Sequence, residues 1–519
     1  MIKHQIKKNS YFDSVSLMIL SRELKKLPGV SEALVGMGTE LNLEIAHNVG
    51  LFTEELTGIG ANDFFVSVQA ETEAQATAAI AEAEVLLNKK NESKAALYFP
   101  PTLDKAISLD AKLNMAVISV PGAHAADLAQ SCIDRNIHVM LFSDNVTVEE
   151  ERTLKENAAA KGLMVMGPDC GTAIVNHVPL AFANVVRAGA IGVCAASGTG
   201  AQEVSSLIDQ LGEGVSQLLG TGGRDLKKEI GGIMMKQALA AMAEDEATRV
   251  ILLVSKPPAK EIAAQILAQA KDIGKPCVVC FLGGDRADAE ALGLTAAISL
   301  EDAAHKAVAL LCGETPADFT GFAMGEDAAN ALAAREAAQM AQGQRYVRGF
   351  YTGGTLCDES MKLLLPSLGH IYSNIPLQAA DKLADAKGGE SREHTFLDFG
   401  DDEFTVGRPH PMIDPSLRAE RVRREANDPA CAVLLCDCVI GYGSHPDPAA
   451  DLAEAIAAAK ATASAAGRHL ACICAVCGTE GDPQSLTRTQ KTLESAGAIV
   501  MPSNAQAARL ALLITEKIG

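Results

Sequence analysis

Two short glycine loops, Ser197-Gly198-Thr199-Gly200 and Thr352-Gly353-Gly354-Thr355, each follow an apolar run and precede a helical pattern. Glycines let backbone amides approach an anion, and hydroxyls add donors. The helix start beyond exposes unpaired N–H groups with about half a positive charge. Ser197, Gly198, Thr199, Gly200, Gly353, Gly354 and Thr355 are therefore expected to bind phosphate, two helix N-termini converging on one anion with no metal. Between the loops, Gly222-Gly223-Arg224-Asp225 offers a guanidinium at a strand end. It can fork onto phosphate or form a surface salt bridge, and Gly223 and Arg224 join the expected phosphate set.

The segment Asp398 to Pro415 carries the densest set of ionisable groups, stiffened by three prolines. His410 lies between prolines with Arg408 two residues away. It is placed as a general acid/base or a donor to a polarised carbonyl, against the alternative of an exposed cap. His445, in Gly441 to Pro448, is expected at the same mouth, and Asp447 is an N-cap candidate. Two C-x-x-C spacings, Cys277/Cys280 and Cys474/Cys477, fall inside strand-like runs. Residues three apart on a strand point to opposite faces, so buried core is preferred to metal chelation.

These groups need a scaffold. A chain of 519 residues exceeds one core and predicts three or four domains. Net charge of −20, 4% aromatics and no Trp disfavour nucleic acid and anionic lipid. No run reaches the roughly 18 apolar residues of a membrane span, and the N-terminus lacks the apolar core of a secretory signal. Thirteen cysteines, many in apolar runs, suit a reducing cytoplasm.

The expected fold class is α/β. Residues 1–90 read as a small α+β module: strand 2–8, helix 14–26 capped by Asp13, strands 31–36 and 63–68, helix 71–87. A linker at 91–112 precedes a β-α-β-α-β Rossmann-like domain at 113–188. Two flavodoxin-like domains with parallel sheets follow at 189–313 and 345–519, joined by an Ala-rich connector at 314–344. Ligands of open parallel sheets sit beyond the strand C-termini. That points at Gly122, Ser143, Asp144, Asn145, Pro168 and Asp169 for substrate or a CoA-like group, with ordinary turns as the competing reading.

Met166-Gly167-Pro168-Asp169-Cys170-Gly171, Ser197-Gly198-Thr199, Thr352 to Leu356 and Phe396-Leu397-Asp398-Phe399-Gly400 resemble the succinyl-CoA synthetase (NDP-forming acyl-CoA ligase) superfamily. Tyr11 to Met18 and Gly36 to Asn42 are similar to its FdrA branch. The resemblance implies a CoA-binding-type Rossmann domain and places Glu203 where the family's glutamate contacts a phosphohistidine. Leu282-Gly283-Gly284-Asp285-Arg286 matches the phosphohistidine loop but has no histidine, and the connector leaves no segment for an ATP-grasp module. The FdrA branch implies a subunit of an oxamate carbamoyltransferase in purine (allantoin) breakdown. It would exchange a carbamoyl group between an oxalurate-like amide and phosphate to give carbamoyl phosphate. No cofactor is required on this reading; separately encoded partner subunits, a downstream carbamate kinase and an oligomer are expected. The alternatives are an acyl-CoA synthetase that binds CoA and takes ATP chemistry from a partner, and a scaffold or sensor without catalysis.

Overall fold

The computed structural model describes residues 1–518 except Asn9, Tyr11, Asp13, 95–99 and 406–407, and the side chains of 14–16, 40, 41, 48 and 88–94 are also left aside. The Asp13 cap therefore lies outside the described residues. Packing divides the chain into two units, 1–111 with 407–409, and 112–406 with 410–519.

In the first unit Ile2–Lys7, Phe64–Ala70 and Val30–Met37 form an antiparallel sheet with Phe64–Ala70 central. Alternating residues of these strands bury Val35, Val66 and Val68 against Leu17, Leu20 and Leu24 of helix Ser14–Lys25 and Ala76, Ile80 and Ala83 of Glu73–Lys94. The opposite face packs Phe65 with Ala46 and Leu56. The helix expected to end at 87 runs to Lys94, and the expected linker holds a further helix, Leu103–Leu109, capped by Thr102.

The second unit holds three sheets. Met115–Ile118, His138–Leu141 and Val165–Met166 are parallel, with helices Gly122–Asp134 and Val148–Ala160 between them in sequence. The seven-stranded sheet runs Thr295–Ala296, Cys277–Phe281, Val250–Ser255, Ala188–Ala196, Val215–Gly220, then the antiparallel pair Thr172–Val175 and Val178–Ala181. The six-stranded sheet runs Tyr372–Ser373, Thr395–Asp398, Tyr346–Tyr351, Cys431–Val439, Ala471–Cys477, Ile499–Met501, all parallel. The five parallel strands of the larger sheet follow the 2-1-3-4-5 order, and the six-stranded sheet repeats it with one added edge strand. Unbroken apolar runs such as Val250-Ile251-Leu252-Leu253-Val254 are what a sheet covered on both faces requires.

Helices Gly198–Gln210 and Leu300–Cys312 of the first layer and Gly354–Leu368 and Asn504–Ile518 of the second share one apolar core, including Val204, Leu300, Leu356 and Leu510. Cys277 and Cys280 fall in different cores, as do Cys474 and Cys477, because three residues along a strand reverse the face. All four thiols are buried.

Candidate functional site

Each glycine loop leaves the first strand of its layer. Ser197 caps helix Gly198–Gln210 by accepting from Gly200 N (3.0 Å), and Gly353 precedes helix Gly354–Leu368. The loops meet directly: Ser197 Oγ and Thr355 Oγ1 are 2.6 Å apart, and Thr355 N donates to Thr199 Oγ1 at 3.4 Å. A side chain at Gly200 or Gly353 would strike the opposing threonine, with 3.2 Å to Thr355 Cγ2 and 3.0 Å to Thr199 Cβ.

The two helix starts differ electrostatically. Thr352 N and Gly353 N donate to Asp437 at 2.8 and 2.7 Å, and Asp437 pairs with buried Arg418 at 2.7 Å. Gly353 is thus corrected from phosphate ligand to a donor already held by a protein carboxylate. Gly354 lies against Asp398, whose Oδ2 is 2.3 Å from where a Cβ would stand. On the first layer Val250–Ser255 ends with Ser255 opposite Ala196, which places exposed Lys256 beside the Ser197 loop. Its charge acts on Asp169, Cys357 and Asp398. The Gly198 and Thr199 amides have no acceptor within their helix and none among the other described residues, so this start, beside a cation, is the open one. Lys256 was missed from sequence, although Ser255-Lys256-Pro257-Pro258 closes a strand next to the topological switch point.

Arg224 is also corrected. Its Nε donates to Glu151 at 3.0 Å and its Nη2 to Val146 O at 2.6 Å, and Glu151 is shared with buried Lys155 at 2.8 Å. The guanidinium completes an ion network instead of forking onto an anion. Gly223 is exposed beside it, while Gly222, at φ +88°, packs on the Pro168 carbonyl. Ser143 is structural: its hydroxyl accepts from Val120 N and donates to Ile118 O, and its carbonyl accepts from Asp169 N. Gly122 is needed because a Cβ would lie 2.4 Å from Asp144 O. Asp144 and Asn145 are exposed. Asp169 keeps solvent contact, yet the protein packed around it and then the charges of Asp144 and Asp402 raise its carboxyl to about 6.

Glu203 does not face the loops. It is buried and accepts from Asn504 N at 3.1 Å, capping the last helix of the opposite layer. Glu359, five residues into the second loop's helix as Glu203 is in the first, accepts from Leu300 N at 2.7 Å and Asn504 Nδ2 at 2.7 Å. Each loop's helix thus caps the final helix of the other layer. Burial raises Glu203 to about 8, with the charges of Glu359 and Glu301 adding to the effect, and Glu359 to about 7, with Glu301 adding.

His410 is half-buried, and Met412 N donates to its Nδ1 at 3.2 Å, which leaves the ring proton on Nε2. Burial lowers it to about 4, so the imidazole is neutral near pH 7. His445 joins it: His445 N donates to Met412 O at 2.7 Å. Its Nδ1 accepts from Asp447 N, and its Nε2 has no hydrogen-bond partner among the described residues. Asp447 stands at the N-cap of Pro448–Ala465 without a side-chain cap bond. Arg408 is exposed and groups with residues 1–111.

Comparison with known proteins bears on this arrangement. The CoA-ligase family matches residues 350–514, the CoA binding domain family 187–283, and the AllF, heavy metal-associated domain family 1–98. The CoA-binding match begins at 187, at the very end of the 113–188 segment to which the resemblance assigned that role, and covers the first flavodoxin-like layer instead. Residues 1–98 contain no cysteine. His4 is engaged by Ser67 and Thr53, and no group of three metal-ligating side chains occurs among the described residues. These residues do not fit a soft heavy-metal site. The uncharacterized protein YahF of Escherichia coli (strain K12) is 44% identical over 98% of both chains. A succinate–CoA ligase [ADP-forming] subunit alpha 2 of Archaeoglobus fulgidus is 26% identical over 34% of this chain and 60% of its own length. The apo form of a Ca. Korarchaeum cryptofilum dinucleotide forming acetyl-coenzyme A synthetase 1 aligns over 80% of this chain and 85% of its own, at 16% identity and a TM-score of 0.34. Among the described residues no helix is long and apolar enough to cross a membrane. The chain belongs to the family of YahF, with an AllF-type amino-terminal domain followed by CoA-binding and CoA-ligase domains of the succinyl-CoA synthetase type.

Proposed function

We propose that the chain is the acyl-transfer subunit of an NDP-forming acyl-CoA ligase-type enzyme, passing an acyl group between phosphate and CoA. The observation that carries this reading is the contact of the two helix starts, Ser197 Oγ on Thr355 Oγ1 at 2.6 Å, beside Lys256 at the switch point. Phosphate is held by the Gly198 and Thr199 amides and by Lys256. The Nε2–H of His410 donates to the carbonyl oxygen as negative charge grows there. The reaction is acyl-CoA plus phosphate giving acyl phosphate plus CoA, and nucleotide chemistry belongs to a separately encoded partner in the cytoplasm.

A second reading is favoured by one observation: Leu282-Gly283-Gly284-Asp285-Arg286 has no imidazole to carry a phosphoryl group, and Lys362 Nζ packs on it, donating to Leu282 O at 2.8 Å. Direct attack of phosphate on an oxalurate-like N-carbamoyl amide would then yield carbamoyl phosphate for a carbamate kinase. Co-purification with neighbouring gene products, followed by calorimetry and product assays, separates the two. CoA binding with thioester turnover supports the first. Carbamoyl phosphate formed from N-carbamoyl amides without CoA supports the second. Ligand binding without either turnover leaves a scaffold and defeats both.

A further inference from the structure

We propose that Asp398 is a catalytic acid of this site, giving its proton to the departing nitrogen or sulfur; the assignment rests on the acyl-transfer reading above.

Asp398 ends the strand Thr395–Asp398 and is buried, 6% exposed, at the C-terminal edge of the sheet. Its backbone is clamped on both sides by Asn374, which donates to Asp398 O at 2.9 Å and accepts from Asp398 N at 3.0 Å. Three buried aspartates of this unit are neutralised by a cation, Asp225 by Lys155 at 2.8 Å, Asp302 by Lys306 at 2.8 Å and Asp437 by Arg418 at 2.7 Å, and a fourth, Asp482, is held by the Asn184 amide and the Val185 and Thr479 N–H groups. No such ion pair is formed by Asp398 among the described residues. Its Oδ1 accepts from Gly400 N at 2.8 Å, and its Oδ2 faces the start of helix Gly354–Leu368.

Three polar atoms close on the Cα of Gly400. A Cβ there would lie 2.7 Å from His410 Nε2, 3.1 Å from Thr352 O and 3.2 Å from Asp398 Oδ1. The His410 ring and the Asp398 carboxyl thus pack on the same glycine, next to the loop that meets Ser197, and with Oδ1 accepting from Gly400 N the acid proton belongs on Oδ2, at the start of helix Gly354–Leu368. Burial lifts the Asp398 carboxyl to about 7, with Lys256 opposing. The group can therefore both hold and release a proton near neutrality.

The step balances. A phosphate oxygen bonds to the carbonyl carbon, and the C–N or C–S bond breaks with its electron pair going to the leaving atom. Asp398 protonates that atom, and the proton that hydrogen phosphate loses on acylation restores the acid. An amide nitrogen needs this proton more than a thiolate does, so the effect is larger for amide donors.

Asp398→Asn keeps an oxygen acceptor for Gly400 N and removes the proton. Infrared difference spectra of the full chain across about pH 5.5 to 8.5 are expected to lose one carboxylic-acid band in the variant. Turnover of the assembled enzyme should fall by about 10²-fold or more, with phosphate affinity, read by calorimetry, within twofold. The wild-type rate should decline above about pH 7, and this decline should vanish in the variant. Unchanged turnover, an unchanged infrared band, or loss of phosphate binding together with turnover would each overturn the assignment. A wild-type assembly that transfers no acyl group from either donor class would instead sink the acyl-transfer reading, and this assignment with it.

Discussion

Replacing Glu203 by Gln should make the protein more stable at alkaline pH. The carboxyl lies buried between two layers, and burial raises it from 4.5 to about 8. In the unfolded chain it ionises near its ordinary value, so between those two pH values the folded state holds a proton that the unfolded state has lost. Stability then falls as pH rises, by about 1.4 kcal/mol per pH unit. The loss is complete above the folded value and amounts to something on the order of 5 kcal/mol. Gln keeps an oxygen to accept from Asn504 N, the bond of 3.1 Å that caps the last helix, and cannot ionise. Glu203→Gln should therefore match the wild type near pH 5 and exceed it at pH 9 by a few kcal/mol, with Glu359→Gln behaving alike from its value of about 7. Urea denaturation at three pH values, followed by far-UV circular dichroism, measures this. Parallel stability curves, or a variant less stable than wild type at pH 9, would refute the account of a buried cap that stays protonated between the layers.

Lys256→Ala should weaken phosphate binding about tenfold, by loss of one close charge pair, with the effect shrinking in high salt. Calorimetry at two ionic strengths tests it. Arg418→Met leaves Asp437 buried and uncompensated beneath Thr352 and Gly353, and should cost about 3–5 kcal/mol in urea titrations. His410→Gln should lower turnover of the assembled enzyme about 10²-fold. Because burial holds the ring near 4, the His410 contribution should be flat from about pH 5.5 to 8.5. A histidine-dependent step near pH 6.5 would contradict that.

Most of the fold was legible because its signals are local. Unbroken apolar runs announced strands covered on both faces, and glycine loops at their ends announced helix starts. Even the C-x-x-C pairs could be assigned to opposite faces, since strand periodicity needs no tertiary knowledge. The site was less legible. Arg224 stood between phosphate ligand and salt bridge because nothing in the sequence links it to Glu151, 73 positions earlier. Glu203 looked catalytic through the family resemblance, but the helix turns that residue toward Asn504, 301 positions later. Lys256 carries no motif, and only strand order brings it to the Ser197 loop.

Strand, loop and helix alternation, the paired glycine turns and the absence of a histidine from the 282–286 loop follow from the chain as written, because each depends on residues within one turn or strand of each other. Which of the two helix starts stays open to an anion was decided by folding alone. Asp437 and Asp398 reach one start, and Lys256 reaches the other, only after the parallel sheets form. Charges far apart in the chain have no mutual energy until packing sets their distance, and it is that energy which makes two similar loops unlike.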